Sequence, residues 1–183
     1  MMADRLNNKQ FTAKDIKNIL GIDRNKLFYW IKTYRMLKPE IEEALGTGKT
    51  SKYSLKNLFE LSIINELLKS GFDMKTTKKI KKSLDNHEIE KNLNVFEKLI
   101  EAYNKKDDSW LFIVDIYPTK DGYEVNLYGY EIGRDPYDGS IIPVDSKYHK
   151  GKMKSKLKKS VYTKIEFRIS DLFNDIIKKV ENY

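Results

Sequence analysis

The sequence predicts a mainly α winged helix-turn-helix N-terminal domain, a linking helix and a small α+β C-terminal domain. Two short helical patterns between residues 11 and 34 are separated by a single glycine turn. A Gly/Lys/Thr-rich stretch follows them and precedes two further helical patterns. After residue 106 the apolar period changes from about 3.6 to about 2. The predicted boundaries are therefore 1–86, 87–106 and 107–183.

The first helix has both of its end signals in the sequence. Thr12 can cap its start, and Asp15 stands at the third helical position, as in a capping box. Gly21 ends it, because glycine readily adopts the left-handed conformation at a helix C-terminus. One face between these signals is apolar and carries Ile16, Ile19 and Leu20.

The second helix is predicted from Arg24 to Tyr34, with Asp23 as its cap. Its apolar side, expected in the core, carries Leu27, Trp30, Ile31 and Tyr34. Its other side carries Arg24, Asn25, Phe28, Tyr29 and Lys32. In a helix-turn-helix the second helix lies in the DNA major groove, where Arg and Asn read bases and Lys and Tyr hold phosphates. The alternative is a solvated polar face, which two adjacent exposed aromatic residues fit poorly.

A hairpin is predicted between Pro39 and Ser54, with its tip at Gly46 and Gly48. Lys49, Thr50 and Lys52 would then reach the phosphate backbone beside the groove. The same segment ends in Gly-Lys-Thr, as a nucleotide-binding P-loop does. The P-loop interpretation fails because Glu43 stands where the first glycine is required and no buried strand precedes it.

Two more helices complete the N-terminal domain. Ser54 caps a leucine-rich helix that ends near Gly71, and another helix runs to Leu84 with Ile80 in its apolar face. The last helix is rich in lysine, at positions 75, 78, 79, 81 and 82. A solvated face explains such a run, and a second role near phosphates is the alternative.

These landmarks resemble the DNA-binding domain of the MerR family of transcription regulators. The matching runs are Leu27-Phe28-Tyr29-Trp30, Leu37-Lys38-Pro39, Lys52-Tyr53-Ser54 and Leu68-Lys69-Ser70-Gly71-Phe72. The resemblance implies that Arg24, Tyr29 and Lys32 contact the groove and that Lys49 and Lys52 of the wing hold the backbone. Phe28 departs from the family, which usually has Arg there, and this leaves the base preference open.

The linking helix carries an apolar seam made by Ile89, Leu93, Phe96 and Ile100, with Tyr103 one step further. MerR-like proteins dimerise through a helix in this position. Because two-fold DNA recognition requires two recognition helices about one helical turn apart, a homodimer is expected. The alternative is that the seam packs on the C-terminal domain of its own chain.

The C-terminal domain resembles no effector-binding domain. Strands are predicted over 110–117, 123–132, 140–144 and 161–169, followed by a final amphipathic helix that Ser170 caps. Its many aromatic residues could line a pocket for an apolar or cationic effector, or simply form the core of the domain. The sequence assigns no role to the lysine-rich loop 147–159. A protein partner for this domain is an alternative to a small-molecule effector.

Composition narrows the function further. Residues 1–86 hold 18 Lys and Arg against 10 Asp and Glu, residues 87–146 hold 6 against 13, and residues 147–183 hold 11 against 4. A basic front domain favours a polyanionic partner. The chain has no cysteine and only two histidines, so it has few of the side chains that bind transition metals or redox cofactors, and no cofactor is expected. No membrane segment or catalytic constellation is recognisable, which predicts a non-enzymatic, cytoplasmic, nucleoid-associated protein.

The expected function is sequence-specific binding of double-stranded DNA as a dimeric MerR-like transcription regulator. The alternative is an architectural DNA-binding protein, such as an excisionase-like, partition or chromosome-anchoring factor, whose C-terminal domain binds a protein. A third hypothesis, a protein-interaction domain that binds no nucleic acid, requires the polar face of the second helix to be blocked by the chain itself.

Overall fold

The computed structural model describes residues 8–43, 50–85, 95–105, 110–119, 122–134, 141–145 and 165–183. The chain divides into two compact units, one formed by Met1–Lys81 with Leu172–Tyr183 and the other by Lys82–Asp171. The helices of the first unit come in the order α1 Ala13–Leu20, α2 Arg24–Phe28, α3 Leu55–Lys69 and α4 Met74–Asp85. A π-helical turn, Tyr29–Thr33, continues α2 without a break. The N-terminal region is therefore mainly helical, as predicted.

Local hydrogen bonds fix the ends of α1. The Asp15 backbone N–H donates to Thr12 Oγ1 at 3.4 Å, and the Thr12 N–H donates to Asp15 Oδ2 at 2.7 Å. These two bonds form the predicted capping box. At the other end Gly21 has φ 69°, which glycine adopts without the steric cost that a Cβ adds. Both end signals expected from the sequence are confirmed.

Asn57 joins the start of α3 to the chain that follows Pro39. Its side chain is buried, and its Oδ1 accepts the N–H of Glu40 at 2.9 Å. Its Nδ2 donates to the carbonyl of Lys38 at 3.2 Å. Ser54 caps the same helix by accepting the N–H of Asn57 at 3.1 Å. The entrance to α3 and the segment before the predicted hairpin are thus held in one arrangement.

The core of the first unit comes from all four helices and from the segment before α1. Its most completely buried large side chains include Phe11, Ile16, Leu27, Leu55, Leu58, Leu61, Ile64 and Ile80. The predicted apolar faces of α1, α3 and α4 therefore point inwards.

A helix from the end of the chain completes this unit. It spans Ile169–Glu181, and its inner face buries Phe173, Ile176, Ile177 and Val180. The Phe173 ring meets Phe59 of α3 edge to face, with centroids 5.7 Å apart. Lys9 Nζ donates to the Val180 carbonyl at 3.0 Å, and the Tyr183 hydroxyl donates to Asp15 Oδ1 at 2.5 Å. Residues from Leu172 on thus pack with the N-terminal helices.

The start of this last helix differs from the sequence prediction. A strand was expected to run to Ile169, with Ser170 as the helix cap, but the helix begins at Ile169. Ser170 lies within its first turn and is buried. An isoleucine fits a strand and a buried helical position equally well, so the pattern gave no signal for the boundary.

The second unit contains helix α5 and an antiparallel four-stranded sheet, and the final helix that follows it is α6. Helix α5 spans Val95–Lys105. The strands are β1 Trp110–Thr119, β2 Gly122–Arg134, β3 Ile141–Asp145 and β4 Ile165–Arg168, in the order β3-β2-β1-β4. Strand β1 pairs with β2 along its whole length, and the register shifts between Glu131 and Ile132 where β2 meets β3. Each strand overlaps one of the predicted strands.

Candidate nucleic-acid interface

The segment formed by α2 and the π turn, called here segment 24–33, is oriented by its cap and its buried side. Asp23 Oδ1 accepts the N–H of Lys26 at 2.8 Å and so fixes the first turn. Leu27, Trp30 and Ile31 are buried, as the sequence predicted, while Tyr34 is half-buried. Burial of this side leaves the opposite side of the segment facing away from the core.

The predicted binding face is exposed. The outer face of segment 24–33 consists of Arg24, Asn25, Phe28, Tyr29 and Lys32, all of them exposed. Phe28 is 62% exposed and Tyr29 49%, so neither ring is taken up by the core. The Tyr29 and Tyr34 rings meet edge to face with their centroids 5.1 Å apart, and the hydrogen bond between the two side chains raises the pKa of Tyr34. The structure therefore brings together the five residues that the sequence grouped.

The second half of the segment is a π turn rather than the α-helix expected from the sequence. The Tyr34 N–H bonds to the carbonyl of Tyr29 at 3.1 Å, and the Met36 N–H to that of Trp30 at 3.0 Å. Lys78 of α4 donates to the Tyr34 carbonyl at 2.7 Å and so holds the end of this turn. One lysine of the lysine-rich helix thus supports the segment, a role that the sequence did not indicate.

The base of the predicted hairpin is an antiparallel bridge between Glu42 and Lys52. The Lys52 N–H donates to the Glu42 carbonyl at 2.8 Å, and the Glu42 N–H donates back at 3.3 Å. The next residue, Tyr53, pairs in the same way with Phe11. Thr50 is exposed and Lys52 partly so, whereas Lys49 falls in 44–49, outside the described residues.

Two adjacent glutamates carry the counter-charge of this surface. Glu43 Oε1 lies 2.7 Å from Lys32 Nζ, and Glu42 Oε2 lies 3.2 Å from Lys52 Nζ. The bond to Lys32 lowers the pKa of Glu43, so this carboxylate is ionised at neutral pH. Neither glutamate was expected at the interface from the sequence, where Glu43 served only to exclude a P-loop. A hairpin register centred on Thr47, between the two glycines, would have placed Glu42 opposite Lys52.

The other lysines of α4 divide into two groups. Lys81 is buried and its Nζ lies 3.1 Å from Glu60 Oε1 of α3. Lys75, Lys79 and Lys82 are exposed, as the solvated-face interpretation expected.

The predicted dimerisation seam is described only in its second half. Phe96 and Ile100 are half-buried on α5, and between them Leu99 is 5% exposed. Ile89 and Leu93 lie outside the described residues. No group of three or more metal-ligating side chains occurs within the part of the chain that the structure describes. Over the same residues, no helix has the length and apolar character needed to cross a bilayer.

Residues 11–84 match the sequence model of a family described as MerR HTH family regulatory protein. The match begins at the residue that pairs with Tyr53 and ends in the last turn of α4, so it includes segment 24–33 and the hairpin base. This part of the chain is a MerR-family helix-turn-helix domain, the DNA-binding domain of a non-enzymatic kind of transcription regulator. The resemblance predicted from the sequence is confirmed. No curated protein matches the chain.

Proposed function

We propose that the protein binds a specific double-stranded DNA sequence as a homodimeric transcription regulator and acts in the nucleoid. Segment 24–33 enters the major groove, with Arg24 and Asn25 against base edges and Tyr29 and Lys32 against phosphates. The observation that carries this proposal is the exposed outer face of a segment whose opposite side is buried. The adjacent Phe28 and Tyr29 rings give that face an apolar area that a merely solvated surface would lack.

The hairpin is proposed as the wing of the domain. The Glu42–Lys52 bridge supports a two-stranded base for residues 42–52, and the pairing of Tyr53 with Phe11 attaches that base to the start of the domain. Lys49, Thr50 and Lys52 would hold the phosphate backbone beside the groove occupied by segment 24–33.

The ion pairs of Lys32 and Lys52 fit this role. Both pairs are solvent-accessible, with lysine side chains 40% and 44% exposed, and exposed pairs contribute little to folding stability. A phosphate backbone carries a dense, fixed negative charge and can take over either lysine from its glutamate. Each lysine that exchanges a carboxylate for a phosphate then adds to the salt dependence of DNA binding.

The dimer is proposed to form through the helix that contains Ile89, Leu93, Phe96 and Ile100, with help from other contacts. Two copies related by a two-fold axis would present two segments 24–33 to half-sites about one helical turn apart. The four-stranded unit is proposed to bind either an effector or a protein partner. A ligand-dependent shift in its thermal stability would favour a regulator, and capture of a protein would favour the architectural alternative.

Salt-dependent binding to a selected duplex tests the proposal. A selection from randomised oligonucleotides should yield a palindromic consensus, and affinity for it should fall with salt at a log–log slope of about 0.9 per phosphate neutralised. Lys52→Ala should make this slope shallower by about 0.9 per subunit that binds. The matched control is Lys178→Ala, which removes the same charge from the exposed face of α6 and should leave the slope unchanged.

Three results would contradict the proposal. An affinity insensitive to salt argues against phosphate contacts, and equal slopes for Lys52→Ala and Lys178→Ala argue against the wing. A consensus without two-fold symmetry argues against dimeric recognition.

A further inference from the structure

Phe28 is the most exposed of the large apolar side chains in the part of the chain that the structure describes, at 62%. It lies one helical turn after Arg24 and Asn25, at spacings of four and three residues, so the three share one side of segment 24–33. The core on the other side is supplied by Leu27, Trp30 and Ile31. Phe28 therefore has an exposed apolar surface that does not serve the packing of the segment.

A phenyl ring can neither donate nor accept a conventional hydrogen bond. It cannot pair with the nitrogen and oxygen atoms of a base edge, and it gains nothing from a phosphate oxygen. The apolar group that the four standard bases present in the major groove is the C5-methyl of thymine, and phenylalanine is one of the side chains that contact it. 5-Methylcytosine carries the same methyl group at the same position.

We infer that Phe28 is a specificity-determining residue that contacts the C5-methyl group of a pyrimidine in each half-site. The inference rests on the proposed function, because it requires segment 24–33 to lie in the major groove. Arg24 and Asn25 then supply hydrogen bonds to neighbouring base pairs, while Phe28 supplies an apolar contact that a hydrogen-bonding residue could not make. The chain thereby selects a methyl group where a MerR-like arginine would meet polar groups.

Substitution of deoxyuridine for thymine tests the contact, since it removes only the methyl group. Each thymine of the selected duplex is replaced in turn, and the dissociation constant of the full-length protein is measured at fixed salt. One thymine per half-site should weaken wild-type binding about four-fold when replaced, as expected for the loss of one buried methyl. With cytosine at that position, the protein should bind the duplex more tightly when the cytosine carries a C5-methyl group. Comparing the thymine duplex with the 5-methylcytosine duplex then shows which of the two bases is the preferred source of the methyl group.

Three variants separate the role of the ring from a general effect on binding. Phe28→Ala should lower affinity for the thymine duplex and bring the thymine/deoxyuridine ratio close to one. Phe28→Arg should also bring the thymine/deoxyuridine ratio close to one, although it adds a cation to the outer face. Tyr29→Phe removes only the hydroxyl proposed to meet a phosphate, so it should lower affinity for both duplexes alike and retain the wild-type ratio. Lys178→Ala, outside the proposed interface, is the matched control and should change neither the affinity nor the ratio.

The outcomes distinguish this inference from the function on which it rests. If the wild type binds a specific duplex with steep salt dependence but no thymine replacement matters, the methyl contact is refuted and DNA binding stands. The same holds if Phe28→Ala keeps the wild-type ratio. If the wild type binds no duplex specifically, both the inference and the proposed function fail.

Discussion

The attachment of α6 to the first unit can be tested by removing one ring. Phe173 is 1% exposed, and its ring centroid lies 5.7 Å from that of Phe59. Replacing a buried phenylalanine by alanine costs about 3–5 kcal/mol, which combines the lost apolar burial with the cavity left behind. Since folded domains are stable by about 5–15 kcal/mol, Phe173→Ala should weaken the first unit substantially.

Urea unfolding gives this magnitude directly. The chain has two tryptophans, so a Trp110→Phe background leaves Trp30, which is 3% exposed in the first unit, as the fluorescent reporter. With a urea dependence of about 2 kcal/mol per molar, a loss of about 4 kcal/mol lowers the midpoint by about 2 M. Lys178→Ala, on the exposed face of the same helix, should change the stability by less than about 0.5 kcal/mol.

One result would refute the reasoning. If the Trp30 transition keeps its midpoint in Phe173→Ala, the residues from Leu172 onwards do not contribute to the core that surrounds Trp30. The first unit would then be complete without α6.

Three further predictions follow from local contacts. Glu43→Gln should raise the affinity for DNA because it removes a negative charge 2.7 Å from Lys32, and an unchanged dissociation constant would contradict the duplex-facing position of this pair. Gly21→Ala should lower the free energy of unfolding by about 1–2 kcal/mol, measured by thermal unfolding, because φ is 69° although the space for a Cβ is open. In Asp15, burial acts to raise the pKa, but the hydrogen bonds, first that from Tyr183, outweigh it and lower the pKa. A carboxyl whose pKa is lower in the folded protein stabilises the fold at pH values above its unfolded pKa, and this stabilisation is lost as the pH falls through the folded pKa. Tyr183→Phe should therefore unfold in acid at a higher pH than the wild type, as followed by circular dichroism. Identical acid midpoints for the two proteins would exclude this role of Tyr183.

Features that depend on neighbouring residues in the sequence were predictable. The capping box of Thr12 and Asp15, the left-handed Gly21 and the division of segment 24–33 into two sides all follow from local hydrogen bonding and helical spacing. The resemblance to MerR-like domains likewise depends on landmarks at set distances along the chain, and it is confirmed over residues 11–84.

Features that depend on distant residues were not predictable. The residue that ends the π turn, Tyr34, has its carbonyl bonded by Lys78, which lies 44 residues further along the chain. The apolar stripe of α6 showed that the helix buries one side, but a stripe carries no information about its partner. The helix was therefore assigned to the module 107–183 on sequence order alone, whereas from Leu172 on it packs beside α3.

The packing of α6 against the N-terminal helices has a consequence for how the protein folds during its synthesis. The ribosome makes residues 1–81 first, yet Phe59 meets Phe173 only after another ninety or so residues have been added. A nascent chain that has just emerged as far as α4 lacks the inner face of α6 and exposes the apolar surface that this helix later covers. The first unit can therefore complete its core only after residues 172–183 have been made.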